Sequence, residues 1–219
     1  MGLVDPDGME IWKPDTDGNI IAEKGDNKET LSAFLNCSIE EASAILNEQG
    51  YNSNITIAAG SKVKLDNVYT RSIVSYSDNE RYNCWGSARA GVCGINIQSG
   101  VEIPYATLFD YILSNEFENI DAQQAKFGKT IIRFESESLY LDKRFDKDEK
   151  SHHLSRQPGT IGSTSHAAVY YGTSNDGTVF VYTKNGYSSK PKVVPLKTLE
   201  GYGKVRGIGG TSGYYNYRY

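Results

Sequence analysis

The hydrophobic pattern of residues 20–66 predicts a small strand–helix–helix–strand unit. Residues 19–22 form a short apolar run that indicates a strand, and residues 59–65 indicate a turn followed by a closing strand. Between these runs, apolar positions recur at intervals of three and four residues, which is typical of amphipathic helices. We therefore expect residues 20–66 to form a compact domain of their own.

Capping signals mark where the two helices of this unit begin. Asp26 or Asn27 is the expected N-cap of the first helix. Ser38 followed by Glu41 is a capping box for the second helix, which is predicted over residues 39–48. The positions expected to be buried are Leu31, Phe34 and Leu35 in the first helix, and Ile39, Ala42, Ile45 and Leu46 in the second.

Residues 67–219 are predicted to form a second domain in which helices precede strands. Small side chains from Cys84 to Gly91 indicate a helix that packs closely against a sheet, and residues 105–115 indicate another helix. Apolar runs then predict three strands, the last two joined by a hairpin: residues 130–134, 165–172 and 178–184. The expected fold class is α+β with an antiparallel sheet.

Composition and charge exclude two classes of partner. The 219-residue chain has a net charge of −4 and no basic run, which argues against a nucleic-acid partner. It has no apolar run of about 18 residues, so we expect no membrane span. Residues 1–20 are acidic and lack the apolar centre of a signal peptide. The three cysteines are an odd number, which argues against a disulfide framework.

Residues 1–19 are rich in turn-forming residues and poor in apolar ones, which predicts a linker or a short hairpin. The segment from Asp5 to Met9 (DPDGM) resembles the end of the repeat-associated core of large bacterial Rhs-type proteins. In that family a variable effector domain, often a toxin, follows the core. The resemblance implies that this chain is the C-terminal part of a longer, secreted or envelope-associated polypeptide.

The most informative chemistry lies in a cysteine and a histidine about eighty residues apart. Cys84 opens the small-residue helix and His166 opens an apolar strand, and a cysteine hydrolase brings nucleophile and base together in this way. The hairpin after that strand returns the chain so that Asn185 is expected beside His166, where it orients the imidazole. The N-terminus of a helix also favours a thiolate over a thiol.

The first unit resembles a LysM module, a small fold that binds glycans containing N-acetylglucosamine. Four short segments support the resemblance: residues 24–26 (KGD), 30–31 (TL), 36–41 (NCSIEE) and 60–63 (GSKV). The asparagine that usually follows the second helix has no single counterpart, since Asn47 and Asn52 are both candidates. The resemblance implies a βααβ fold and binding of a glycan-bearing substrate, and a purely structural role is the alternative.

The second domain resembles the papain-like peptidoglycan hydrolases, the group of NlpC-type endopeptidases and CHAP amidases. The resemblance covers about 120 residues and implies Cys84 as nucleophile, His166 as base and Asn185 as third member. The acidic residue that often precedes the nucleophile in this group is here Asn83. Residues near the pair are the candidate substrate-binding residues: Tyr82 (with Tyr76 as an alternative), Trp85 and Ser165.

The mechanism implied by the resemblance is attack of the Cys84 thiolate on an amide carbon. A helix N-terminal amide, that of Cys84 itself, is expected to hold the oxyanion. An amine then leaves and water hydrolyses the thioester, with His166 as base. The expected partner is peptidoglycan or a muropeptide, with an immunity protein if the enzyme is a toxin, and no cofactor is needed.

Two alternatives to peptidoglycan hydrolysis stay open at this point. In the first, the chain is a toxin that acts on a protein as a cysteine protease or deamidase. In the second, it is a wall-binding protein without catalysis. A metal site at His152 and His153 is disfavoured, since adjacent strand residues point to opposite faces and the neighbouring acids lie in a charged loop. Cys37 and Cys93 are expected to be structural.

Overall fold

The computed structural model describes residues 12–65, 83–93, 103, 106–136, 163–185, 191–205 and 213–219, which contain two antiparallel sheets, four α-helices and two 3₁₀ helices (Ala122–Gln124 and Leu196–Tyr202). The helices are α1 (Lys28–Leu35), α2 (Ile39–Glu48), α3 (Cys84–Cys93) and α4 (Ala106–Glu116). The strands of the small sheet are β1 (Lys13–Pro14), β2 (Asn19–Ile21) and β3 (Lys62–Lys64). Those of the large sheet are β4 (Phe117–Ile120), β5 (Thr130–Ser136), β6 (Ser163–Thr173), β7 (Val179–Thr183), β8 (Lys192–Pro195), β9 (Lys204–Val205) and β10 (Tyr214–Tyr217). The mixed α+β class with antiparallel sheets is as predicted.

The strand–helix–helix–strand order predicted for the first unit is present, with β2 and β3 paired antiparallel. Asn27 is the N-cap of α1, and Ser38 and Glu41 form the predicted capping box of α2. Ile39 is 45% exposed, so its predicted burial is wrong. Ile39 is the first residue of α2, and the residues of this helix that are buried, Ala42 and Leu46, lie further along it.

Residues 12–21, at the junction of the predicted linker or hairpin with the first unit, form the hairpin of β1 and β2. Trp12 directly precedes β1 and anchors the start of this hairpin, because its side chain is fully buried. The Trp12 backbone N–H donates to Asp26 at 3.1 Å, and its indole N–H donates to the Thr30 hydroxyl at 2.9 Å. The hairpin is thereby held against the start of α1. The Rhs-like segment from Asp5 to Met9 lies outside the described residues.

The large sheet has the order β4-β10-β5-β6-β7-β8, and the short β9 pairs with β5. Its predicted strands appear close to their expected bounds, and the hairpin turns at Gly177, which has a φ of +81°. Alternation of side chains gives β6 two apolar faces. Ala167, Val169 and Tyr171 belong to one cluster, and Ala168 and Tyr170 belong to a second cluster on the other face.

The first unit and the large sheet share one of these clusters. Phe34 of α1 packs against Phe180 of β7, with ring centroids 6.3 Å apart, and a Cβ added at Gly172 would clash with the Phe34 ring. The backbone N–H of Phe127 donates to the Leu35 carbonyl at 3.1 Å, and the Tyr171 hydroxyl donates to the Gly18 carbonyl. Burial of the α1 side chains therefore depends on the sheet of the second domain as well.

Within the described ranges, none of the helices has both the length and the apolar character that crossing a membrane needs.

Candidate active site at the end of strands β6 and β7

Cys84 is the first residue of α3, and the preceding Asn83 caps that helix. The side-chain oxygen of Asn83 accepts from the Gly86 N–H at 2.9 Å, while its Nδ2 donates to the Ile103 carbonyl at 2.5 Å. A carboxylate at this position would accept the first bond but could not donate the second. The two hydrogen bonds together therefore require an amide at position 83.

The Cys84 thiol is 8% exposed and lies against the strand that carries His166. The backbone N–H groups of Ala167, of Trp85 and of Cys84 itself reach its sulfur, and each lowers the pKa of the thiol. Burial acts in the opposite direction and is the larger effect, so that the pKa of Cys84 rises to about 11. The helix N-terminus thus acts as predicted, but the thiol is protonated at neutral pH.

His166 is 1% exposed and lies between two aromatic rings. Its imidazole stacks on Tyr202 with ring centroids 4.2 Å apart, and packs against Phe134 at 5.5 Å. The Nε2 atom is 2.7 Å from the Thr183 hydroxyl, whereas the described contacts of the ring include no hydrogen bond at Nδ1. Burial lowers the pKa of His166 to about 4, so the ring is neutral at pH 7.

Of the three predicted catalytic residues, His166 and Asn185 are linked through Thr183, whereas Cys84 lies against the backbone of Ala167. No described hydrogen bond joins the Cys84 sulfur to the His166 ring. The ring leaves β6 on the face of Ala168, while the helix of Cys84 packs on the face of Ala167. In this geometry the imidazole and the thiol are therefore not in position for a direct proton transfer. Catalytic hydrogen bonds in free enzymes often tighten only when substrate binds.

Among the described hydrogen bonds, it is that of Thr183 that reaches the imidazole directly. The Thr183 hydroxyl bonds to Nε2 of His166 and lies 3.4 Å from the Asn185 side-chain oxygen. Asn185 is two residues beyond the end of β7, and its contact with the ring runs through Thr183. Sequence reasoning missed Thr183 because its position in an apolar strand suggested an ordinary β-branched residue.

Two further residues of the site were missed, Tyr202 and Lys184. Tyr202 ends a 3₁₀ helix and has no nearby motif that points to His166. Lys184 is 1% exposed. The sequence feature that could have indicated this burial is its position directly after the apolar strand β7. A lysine is almost never fully buried unless it is paired.

Of the predicted substrate-binding residues, Trp85 and Ser165 lie next to the pair, while Tyr82 lies outside the described residues, as do Tyr76 and the two histidines at 152 and 153. Trp85 stacks on Phe109 at 6.2 Å, and its buried indole N–H has no partner among the described residues. The Ser165 hydroxyl lies within hydrogen-bonding distance of the backbone carbonyls of Phe134 and Tyr202, and its one proton can be donated to either. It therefore holds the 3₁₀ helix to the sheet beside the His166 ring.

A cavity of about 860 Å³ lies on the face of the sheet to which His166 points. Its apolar wall includes Phe134, Val179 and Leu196, and charged side chains such as Glu200 and Lys204 line it as well. Phe134 also packs against His166, so one ring separates the cavity from the imidazole. The cavity is large enough for a small ligand.

Within the described ranges, no three His, Cys, Asp or Glu side chains are grouped to hold a metal ion. All three cysteines are free thiols. No family model matches this chain, and no curated protein matches it. Any functional assignment therefore depends on the chemistry of the site.

The low pKa of His166 has a consequence for stability in acid. The unfolded chain binds the imidazole proton near pH 6.5, whereas the folded protein binds it only near pH 4. The difference between the two pKa values contributes about 3 kcal/mol to the free energy of unfolding. This stabilisation is fully present above pH 6.5 and is lost as the pH falls toward 4. We expect the free energy of unfolding of the wild type to fall more steeply over this range than that of His166→Gln, measured by urea titration. Equal slopes would contradict the burial of a neutral imidazole.

Proposed function

We propose that this protein is a cysteine hydrolase that cleaves amide bonds of bacterial peptidoglycan. The main support is the arrangement of Cys84 at the N-terminus of α3, against the strand of His166 and with its sulfur facing backbone N–H groups. The resemblance to NlpC-type and CHAP enzymes supports the same reaction. As a peptidoglycan hydrolase, the protein would act outside the cytoplasm, as a wall-remodelling enzyme or a secreted effector.

In the proposed reaction, the Cys84 thiol transfers its proton to His166 as the sulfur attacks the amide carbon. Nδ1 of the imidazole is the atom that receives the proton, because Nε2 bonds to Thr183. The N–H groups at the start of α3 stabilise the oxyanion of the tetrahedral intermediate. His166 then donates the proton to the departing amine, and water hydrolyses the thioester with His166 as base.

The strand–helix–helix–strand unit supports a glycan-bearing substrate. Its LysM-like segments and its contact with the catalytic sheet through Phe34 and Gly172 would hold a wall polymer close to the cleaving domain. A protein substrate would leave this unit without a ligand. That difference is the reason for preferring peptidoglycan to a protein target, the alternative that the Rhs-like segment favours.

A second candidate function is binding of the wall without catalysis. The observation that favours it is the burial of Cys84, whose pKa of about 11 leaves little thiolate at neutral pH. On this alternative, α3 and β6 form a structural core in which the thiol packs as a small apolar group.

Digestion of purified sacculi distinguishes these functions. The wild type and Cys84→Ala are each incubated with peptidoglycan, and the soluble fragments are analysed by mass spectrometry. New amine termini released only by the wild type are expected, and their identity gives the bond that is cut. If both proteins sediment with the sacculi and neither releases fragments, the protein is a binding module. If neither binds nor releases fragments, proteins become the substrates to test.

Thr183 and Asn185 differ in their contact with His166, so their substitutions are expected to differ in effect. Thr183→Val removes the group bonded to Nε2 and should lower kcat/KM by roughly 10- to 100-fold, since an orienting residue matters less than the nucleophile. Asn185→Ala should have the smaller effect, measured on the same released fragments. A larger loss in Asn185→Ala would restore Asn185 as the direct third member.

A further inference from the structure

We propose that Lys184 is a positioning residue for the nucleophile: its buried ammonium group stabilises the thiolate form of Cys84 from the side of β7. This inference rests on the proposed function and adds a residue to the same site. It has three independent supports, which are the burial of Lys184, the register of β6 and β7, and the alignment of α3 with β7.

Lys184 is buried to 1% exposure although it directly follows the last residue of β7. The pairing of Val169 with Tyr182 sets the register of β6 and β7. Continued by two residues, this register places Lys184 opposite Ala167, the residue whose backbone N–H reaches the Cys84 sulfur. Lys184 is therefore at the point where β6, β7 and the start of α3 meet.

The alignment of α3 along β7 also places Lys184 beside Cys84. Tyr182 and Lys184 are two residues apart, and side chains two apart on a strand share a face. The Tyr182 hydroxyl lies close to the Ser87 side chain of α3, and Cys84 lies three residues, or about one helical turn, before Ser87. Because Tyr182 faces Ser87, Lys184 faces the beginning of the helix where Cys84 lies.

The charges at this position interact as the geometry suggests. Burial raises the pKa of Cys84 and lowers the pKa of Lys184; the Lys184 ammonium partly offsets the first shift, and the Cys84 thiolate partly offsets the second. Burial opposes both charged forms, so each group makes ionisation of the other less costly. A lysine and a cysteine buried together are thus better suited to form an ion pair during the reaction than either is alone.

The other titratable groups around Cys84 are less suited to this role. His166 is neutral because burial lowers its pKa, and burial raises the pKa of Tyr202, which keeps its phenol protonated. Arg133 on β5 is paired with Asp110 at 3.1 Å and with Glu135 at 3.3 Å. Lys184 is the described cation that acts on the Cys84 sulfur.

Alkylation of Cys84 by iodoacetamide tests the proposal without any substrate. The rate is measured from pH 7 to 10 by mass spectrometry of the Cys84 peptide, in the wild type, Lys184→Met, Lys184→Arg and the exposed control Lys64→Met. We expect the rate in Lys184→Met to be about 3- to 10-fold lower at pH 8, because the thiolate fraction falls. Lys184→Arg, which keeps the charge, should recover most of the rate, and Lys64→Met should match the wild type. An unchanged or higher rate in Lys184→Met would overturn the proposal.

If Lys184→Met does not fold, Lys184→Gln, which keeps a polar end at this position without the charge, replaces it in the same alkylation series. A rate in Lys184→Gln equal to or above that of the wild type rejects the proposal. These readouts are independent of hydrolysis. A protein that cleaves peptidoglycan but shows no alkylation difference would lose only the Lys184 assignment, whereas an alkylation difference without cleavage would remove only the proposed function.

Discussion

Cys84→Ala is expected to lower the rate of fragment release from peptidoglycan by at least about a thousandfold, the scale on which loss of a nucleophile acts in hydrolases. The thioester route needs the sulfur, and among the described residues Cys84 is the thiol that lies against the strand of His166. The measurement is the initial rate of amine release from sacculi at equal protein concentration, with the far-UV circular dichroism of the two proteins compared to establish that both are folded.

Cys93→Ala is the matched control for that experiment. Cys93 ends the same helix, is half-buried and contacts Tyr217 instead of His166. We expect it to keep most of the wild-type rate, because its sulfur faces none of the proposed catalytic groups. Equal losses in the two variants would indicate that packing of α3, and not the Cys84 nucleophile, limits activity. A fully active Cys84→Ala would eliminate the cysteine mechanism.

Trp12→Ala is expected to lower the free energy of unfolding by about 3–5 kcal/mol, the usual cost of truncating a large buried aromatic residue. The Trp12 side chain is fully buried, and its indole N–H donates to Thr30. Its loss leaves a cavity at the start of α1 and removes one hydrogen bond to the Thr30 hydroxyl, which keeps its bonds to Asn27 and Asp26. Urea unfolding followed by tryptophan fluorescence of Trp85 and by circular dichroism measures the change.

Trp12→Phe separates packing from hydrogen bonding in this prediction. It keeps most of the buried apolar surface but removes the indole N–H, so we expect a loss of about 1–2 kcal/mol. Ile55→Ala in the same unit is the surface control, since Ile55 is 59% exposed and should change stability by less than about 0.5 kcal/mol. A loss below about 1 kcal/mol in Trp12→Ala would mean that residues 12–19 behave as the predicted linker after all.

Local features of the fold were predictable because they depend on neighbours in the chain. The capping box of Ser38 and Glu41, the hairpin turn at Gly177 and the start of α3 at Cys84 all follow from side chains that bond to their own backbone or permit its conformation. The strand–helix–helix–strand order followed from apolar spacing in the same way. Misassignments arose at element ends, as at Ile39, where burial depends on distant packing.

The composition of the site was decided by tertiary structure. The sequence by itself brought Cys84 and His166 to attention and placed Asn185 after the second strand of the hairpin. That Thr183 contacts the imidazole, that Tyr202 stacks on it and that Lys184 is buried beside Cys84 follow from strand register and sheet packing, which couple residues far apart in the chain. The raised pKa of the thiol and the lowered pKa of the imidazole come from burial, a property of the folded molecule that no local pattern contains.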